Sequence, residues 1–173
     1  MSKKKSARGQ SAGPENPNDR LIARNRKARH DYEVLETLEA GMVLVGSEVK
    51  SLRAGGVNLT DAWAEVRQGE VFLHNLHISP YEMANRFNHE PTRSRKLLLH
   101  SREIRKLIGK TTEKGLTLIP LSLYFKRGRV KCELGVVRGK RSYDKRAAKA
   151  EADNKRKLQQ AMRGGMRRHG DDS

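Results

Sequence analysis

The chain is poor in three things, and each shortage excludes something. It has one cysteine, Cys132, in 173 residues. One thiol forms no internal disulfide and supports no multi-cysteine zinc site, so a reducing cytoplasm is the expected setting. No apolar stretch is long enough to span a bilayer as a helix, which excludes a helical integral membrane protein and leaves no membrane partner to expect. The start, Met1-Ser2-Lys3-Lys4-Lys5, is basic but is followed by no apolar core segment, so it does not read as a secretory signal. Apolar residues make up only 35%. That is low for a chain folded throughout, so a compact core is expected over part of it.

What the chain has in excess is positive charge. Lys and Arg number 37 against 20 Asp and Glu, a formal net charge of +17. The charge is unevenly placed. Residues 1–30 hold nine bases and two acids, and residues 140–173 hold eleven bases and five acids. A body of lower charge density between two basic arms suits a polyanion gripped on more than one side, and basic stretches commonly serve nucleic acids. Aromatic residues are only 5%. Proteins that bind single strands usually stack bases on exposed aromatics. Trp63, Phe72 and Phe125 fall in strand patterns and read as packing residues, so the expected target is folded RNA, recognised through backbone, shape and 2′-hydroxyl contacts.

The pattern divides the chain into a disordered basic head at 1–19, a barrel with its N-terminal lead-in at 20–139, and a basic tail at 140–173. The head is Gly, Ser, Pro and Lys without apolar periodicity. The body begins near Asp31, with a strand through Tyr32, Val34 and Leu38 and a short buried strand at Met42–Val45. Ser47 is placed to cap a helix carrying Val49 and Leu52, stopped by Gly55-Gly56. Residues 62–67 and 70–78 flank Gln68-Gly69 as a hairpin. Val71 and Leu73 should face one way, and Phe72, His74, Leu76 and Ile78 the other. Leu97-Leu98-Leu99 reads as a buried strand. Ser101 reads as the cap of a helix with an Ile104, Leu107, Ile108 stripe, ended by Gly109. In the last strand pair, Ile119, Leu121, Leu123 and Phe125 share one face, and Val130, Cys132, Leu134 and Val136 share one face of the partner. Many short strands with a helix before the last pair favour a mainly β fold, an OB-type barrel of about six strands with short inserted helices. The Ala, Lys and Glu-rich tail has high helix propensity but only Leu158, Ala161 and Met162 as an apolar patch. It should be partly disordered alone and become helical on a partner.

No catalytic constellation can be read from spacing. Gly109-Lys110-Thr111 lacks the earlier glycine of a phosphate-binding loop, since Ile104 stands there, and it follows a helix rather than a strand. His74 and His77 lie three apart on a strand and point to opposite faces, so they cannot share an ion. Cys132 is in phase with the buried face and reads as an inert thiol. A binding protein without a cofactor or metal is therefore expected, rather than an enzyme.

Several ordered strings then resemble one family. They are Asn25-Arg26-Lys27-Ala28-Arg29-His30-Asp31-Tyr32, Glu39-Ala40-Gly41, Gly46-Ser47-Glu48-Val49-Lys50-Ser51-Leu52-Arg53 and Asn58-Leu59-Thr60-Asp61. Pro91-Thr92-Arg93-Ser94-Arg95-Lys96-Leu97-Leu98-Leu99-His100, Leu121-Ser122-Leu123-Tyr124 and Gly139-Lys140-Arg141-Ser142-Tyr143-Asp144-Lys145-Arg146 complete the set. The chain resembles the SmpB family of bacterial SsrA-binding (tmRNA-binding) proteins from about Asn25 to Arg146. The resemblance implies an OB-type barrel that binds the tRNA-like domain of transfer-messenger RNA and delivers it to stalled ribosomes for trans-translation. It implies as partners transfer-messenger RNA, the small-subunit rRNA at the decoding centre and mRNA channel, and the elongation factor that delivers the aminoacylated RNA. By resemblance, Asn25, Glu39, Leu98 and Lys131 are RNA-binding residues; Lys50, Arg53 and Lys131 read as phosphate ligands, and Arg93, Arg95 and Lys96 as a basic RNA-binding cluster beside Leu98. Lys140, Arg141, Tyr143, Asp144, Lys145 and Arg146 are assigned to the decoding centre, which the tail enters as a helix. Arg141 stands where the family usually has Lys, which keeps charge but not geometry. Leu98 is core by pattern and reaches an RNA surface only by resemblance.

Overall fold

The structure, a computed structural model, describes residues 19–113 and 115–165. All but the last residue of the expected disordered head lies outside the described residues. The chain opens with β1 (Arg20–Arg24), α1 (Arg26–Asp31) and β2 (Tyr32–Met42), followed by α2 (Gly46–Arg53) and β3 (Val57–Asn58). The hairpin β4 (Trp63–Arg67) and β5 (Glu70–His74) leads to β6 (His77–Ile78), a 3-10 turn at Glu82–Phe87 and β7 (Arg95–Leu98). Then come α3 (Ser101–Thr111), the long pair β8 (Leu116–Lys126) and β9 (Arg129–Gly139), and α4 (Ser142–Gly165).

Six of these strands close on themselves. The order β8-β4-β5-β7-β2-β9 returns to β8 through the β8–β9 pairing, every described pairing is antiparallel, and β1 adds a seventh strand against the C-terminal half of β8. Closure removes the unpaired edges that make open sheets prone to aggregation. The expected OB-type barrel of about six strands is what the chain forms. The interior is built from alternate residues, among them Leu73, Leu97, Leu118, Leu123, Cys132 and Leu134, with Leu52 of α2 and Leu107 of α3 also fully buried. Burial pushes the Cys132 thiol up to about 12, so it stays a thiol.

Several local expectations give way, each for a geometric reason. The lead-in before Asp31 is ordered as β1 and α1. Met42 ends β2 rather than opening a new strand. Val45, not Ser47, is the N-cap of α2, and its N–H donates to Glu48 at 2.9 Å. Ser47 instead bonds His89 Nδ1 at 2.9 Å. His100, not Ser101, caps α3, its N–H donating to Glu103 at 2.9 Å, and the helix runs through Gly109 to Thr111. In the hairpin, Leu76 and Ile78 are buried like Val71 and Leu73, because β5 ends at His74 and Asn75 takes a φ of 56° that reverses the alternation. In β8 a register shift between Pro120 and Ser122 has the same effect. Leu123 and Phe125 point into the barrel, whereas Ile119 and Leu121 form a second small core with Ala28 of α1 and Val137. Gly135 is required there, since a Cβ on it would lie 2.8 Å from Leu121 Cδ1.

One ion pair lies wholly inside the protein. Glu48 and Arg95 are both 0% exposed, with Arg95 Nε donating to Glu48 Oε1 at 2.7 Å. Arg95 also donates to the carbonyls of Leu76 (2.6 Å), Arg93 (3.1 Å) and Pro91 (3.1 Å). Arg93 closes the other side of the carboxylate through Nε (2.8 Å) and Nη2 (2.7 Å). Burial pushes the Glu48 carboxyl up, but the bonds from Arg93, the Val45 N–H and Arg95 outweigh it, so its pKa lies below the usual range. Removing one partner of such a pair strands a buried charge at a cost of roughly 3–5 kcal/mol. Arg95→Ala is therefore expected to lower stability by about that amount, and Lys96→Ala, on the neighbouring half-exposed position, by less than about 1 kcal/mol. Urea unfolding of the two variants checks the contrast.

Candidate nucleic-acid interface

On the outer face of the barrel, four strands contribute one row in the hydrogen-bonding direction. Tyr124 of β8 pairs with Lys131 of β9, Lys131 with Gly41 of β2, and Gly41 with Leu98 of β7. At the usual strand spacing the row is about 14 Å long. The next row holds Ser122, Glu133 and Glu39. Period 2 sends these residues outward because their neighbours Cys132, Leu134, Leu123 and Ala40 are in the core.

Leu98 is 51% exposed, the one large apolar side chain that the row presents to solvent. The pattern-based expectation that it is core is wrong, because Leu97 occupies the inward position. A Cβ on Gly41 would stand 3.3 Å from Leu98 Cβ, so the glycine leaves Leu98 its place. An open groove of about 670 Å³ runs past Glu39, Leu98, Arg129 and Lys131, with Met42, Leu44 and Val49 among its apolar lining. A second open cleft, lined by Arg24, Arg26, Arg29 and Tyr124, shares Glu39 with the first. Glu39 therefore stands between two cation-lined hollows.

Its carboxylate is held in place. Tyr124 Oη donates to Glu39 Oε2 at 2.5 Å, and Lys126 Nζ lies 3.2 Å from the same oxygen. The Tyr124 bond, opposed by burial and helped by Lys126 and Lys131, keeps the Glu39 carboxyl below its ordinary value. Burial and the adjacent Glu39 push the Tyr124 phenol upward, so it remains a donor. The result is an ionised, oriented acceptor among cations, chemistry suited to base amino groups or ribose hydroxyls.

The residues assigned by resemblance separate into groups. Glu39, Leu98 and Lys131 meet at the groove. Lys50 and Arg53 lie on the exposed side of α2 without a carboxylate partner among the described residues, Lys50 over the Tyr81 ring and Arg53 over the Phe125 ring. Lys96 is outward but paired with Glu70 at 2.5 Å. Arg95 is not a surface residue, since its guanidinium is buried and fully bonded inside. Arg93 is largely committed to the same carboxylate. Asn25 is also interior. Its Oδ1 accepts from the Ala28 N–H at 3.0 Å to cap α1, and its Nδ2 donates to Leu59 O (3.0 Å) and Pro120 O (3.1 Å). It thereby fixes the start of α1, the helix that carries Arg26 and Arg29. Of the decoding-centre set, Lys140 and Arg141 precede α4, and Arg146 is exposed on it. Tyr143, Asp144 and Lys145 lie on its first turn, and their side chains are outside the described residues.

Sequence reasoning missed Arg24, Arg26, Tyr124 and Arg129. The two arginines count only toward the charge of the N-terminal segment in a reading that assigns the lead-in no element of its own. The alternation in Arg20-Leu21-Ile22-Ala23-Arg24 was the available sign of a strand. Trp63, expected to pack, is 40% exposed.

Fold and face together define a class: a small OB-type barrel with a cation-lined outer surface, of the kind that binds oligonucleotides. The SmpB protein family model matches residues 22–164. An SsrA-binding protein of Symbiobacterium thermophilum is 62% identical over 144 residues, covering 83% of this chain and 91% of that one. Another from Geobacillus thermodenitrificans is 59% identical, covering 83% and 93%. A solved structure described as "tmRNA-SmpB: a journey to the center of the bacterial ribosome" superposes with a TM-score of 0.61 at 54% identity, covering 70% of this chain and 85% of that one. The chain belongs to the SmpB family.

Tyr124→Phe removes the bond that contributes most to lowering the Glu39 carboxyl. Its titration midpoint is expected to rise toward 4.5, while Ser122→Ala, which touches Glu133 instead, leaves it in place. Carboxyl-carbon NMR titration measures both.

Proposed function

We propose that this protein binds the tRNA-like domain of transfer-messenger RNA on its barrel, residues 20–139, and carries that RNA to stalled ribosomes for trans-translation. The observation that carries this reading is the meeting of Glu39, Leu98 and Lys131 at one open groove, beside cations that have no carboxylate partner among the described residues. Arg24, Arg26, Arg129 and Lys131 supply phosphate contacts. Glu39 accepts from base or ribose donors, and Leu98 offers an apolar surface to a base. Lys50 and Arg53 extend the cationic surface along α2. The relatives bear the name SsrA-binding protein and the structural neighbour is a tmRNA-SmpB complex, which supports the same partner here.

The tail, residues 140–173, is the ribosome-reading element in this proposal. The side chains described from Arg146 to Met162 are all exposed, including Leu158 and Met162, so α4 buries little against its own barrel. Lys140, Arg141, Tyr143, Asp144, Lys145 and Arg146 at its root are proposed to meet small-subunit rRNA at the vacant decoding centre, and the rest to follow the empty mRNA channel. The elongation factor that carries aminoacylated transfer-messenger RNA is the further partner, the setting is cytoplasmic, and the role is one of binding and delivery rather than catalysis.

Two measurements test the reading. Glu39→Ala and Lys131→Ala should each weaken binding to the tRNA-like domain by about 1.5–3 kcal/mol. The Arg24→Gln/Arg26→Gln double variant should also make the slope of log affinity against log salt shallower by about 1.5. Unchanged affinity and slope in all of them would remove this face from the site. Separately, truncation after Gly139 is expected to leave that affinity nearly unchanged and abolish peptide tagging on ribosomes stalled with truncated message. Asp144→Ala/Lys145→Ala/Arg146→Ala should lose most tagging in the same assay.

A further inference from the structure

Arg20 takes no part in the function proposed above, yet its side chain is held in a defined place. Arg53 is the last residue of α2, and its carbonyl is one of those that a helix end leaves without an internal partner. Arg20, the first residue of β1, supplies the partner, with Nη2 donating to Arg53 O at 2.6 Å. Two further contacts register the start of β1. Arg20 pairs with Phe125 of β8, and the Asp19 carboxylate accepts from the Arg127 N–H at 2.8 Å.

The guanidiniums of Arg20 and Arg53 converge on one ring. Arg20 Cζ lies 5.8 Å and Arg53 Cζ 5.9 Å from the centroid of Phe125, which is itself buried. An aromatic ring attracts a cation without neutralising it, so both charges stay whole. Neither guanidinium has a carboxylate partner among the described residues. Arg20 spends a donor on the Arg53 carbonyl and has others left, and Arg53 spends none among the described residues. Two like charges gathered at one ring repel each other, and an anion between them removes that cost.

The pair adjoins the Glu39 groove. Val49, one helical turn before Arg53 on the same side of α2, lines that groove, and so does Val130, the strand partner of Phe125. A strand of RNA lying in the groove therefore passes the two arginines. The planar forks of their guanidiniums match phosphate oxygens. We infer that Arg20 and Arg53 form a two-arginine clamp on a single backbone phosphate of the bound RNA, at the Phe125 end of the Glu39 groove. Arg20 precedes residue 22, where the match to the family model begins, so this half of the clamp is read from the structure alone. The inference rests on the reading of the Glu39 face as an RNA surface.

The test measures the affinity of the full chain and its variants for a transcript of the tRNA-like domain across a range of salt, with phosphate ethylation interference to locate the contacts. Arg20→Gln and Arg53→Gln should each bind about tenfold more weakly, and both should lose sensitivity to ethylation at the same one phosphate. The double variant should make the slope of log affinity against log salt shallower by about 0.8, the value for one phosphate, where two independent contacts would give about 1.6. Arg20→Lys keeps the charge but not the fork, and should keep the slope at reduced affinity. Arg67, over the Phe72 ring at 5.4 Å, is the matched control as a single cation on a ring, and Arg67→Gln should change neither affinity nor slope. If the two single variants lose different phosphates, or Arg20→Gln binds normally while Glu39→Ala is weakened, the clamp is wrong and the Glu39 face stands. If Glu39→Ala, Lys131→Ala and the clamp variants all bind as the unmodified chain does, both readings fall together.

Discussion

Glu48 and Arg95 form the constraint around which the barrel's functional side is arranged. Neither is accessible to water, so each charge is held by its partners, Arg95 by Glu48, and Glu48 by Arg95 together with Arg93. In such a pair the attraction largely offsets desolvation, and the gain lies more in geometry than in net stability. The geometry here is extensive. The Glu48 carboxylate accepts from Arg93, Arg95 and the Val45 N–H, which fixes the start of α2 against β7. Arg95 reaches the Leu76 and Pro91 carbonyls, which holds the long connection between β5 and β7 to the same point. Val49, one residue after Glu48, lines the groove beside Leu98. Leu98 follows Arg95 by three residues on the same strand and therefore faces the opposite way. Burying Arg95 and exposing Leu98 are one placement of β7 seen from its two sides.

That inversion explains why charge alone was a poor guide to the interface. The chain carries 37 bases, but many are already engaged. Arg93 and Arg95 serve Glu48, and Lys106 and Lys110 both bond Glu36, tying α3 to β2. Lys96 holds Glu70, and Lys27 holds Asp61. Exposed pairs of this kind contribute little stability, but they remove cations from the supply that a polyanion can meet. Arg24, Arg26, Arg129 and Lys131, by contrast, surround Glu39 with no carboxylate of their own among the described residues. Summed over a segment, a binding arginine and a structural one count the same.

Much of the barrel was legible because long strands keep period 2. Val130, Cys132, Leu134 and Val136 alternate without interruption and all reach the core. The reading failed where one residue changed the phase. Asn75 in the left-handed region and the shift at Pro120–Ser122 each move the following side chains to the other face, and neither announces itself in the apolar pattern. Of the site, Glu39 and Lys131 were reachable only through the family resemblance, since nothing in composition separates them from other surface charges. The resemblance also placed Leu98 on the surface against the apolar pattern, and the structure agrees with it. It included Asn25 and Arg95 as ligands, and both are buried in the free protein with their polar atoms bonded inside it. Glu48 carried no sequence signal for burial, because a carboxylate inside a barrel is explained only by the two guanidiniums that fold back onto it.

The tail follows a different physical logic from the barrel. A closed sheet with its own core needs nothing from α4, and α4 presents its described side chains to water. Its charge pattern supports a helix locally, with Glu151 four residues before Lys155 and Asp153 four before Lys157. Such pairs add only a few tenths of a kcal/mol each, and most helical stability in proteins comes from tertiary packing, which the exposed side chains described on α4 do not supply. Its attachment is short. Lys140 bonds the Asp31 and Arg29 carbonyls at the end of α1, and beyond it only Arg141 separates the barrel from the helix. In the function proposed above, a closed barrel holds one RNA on its Glu39 face while a helix with exposed side chains extends from it toward a second polyanion.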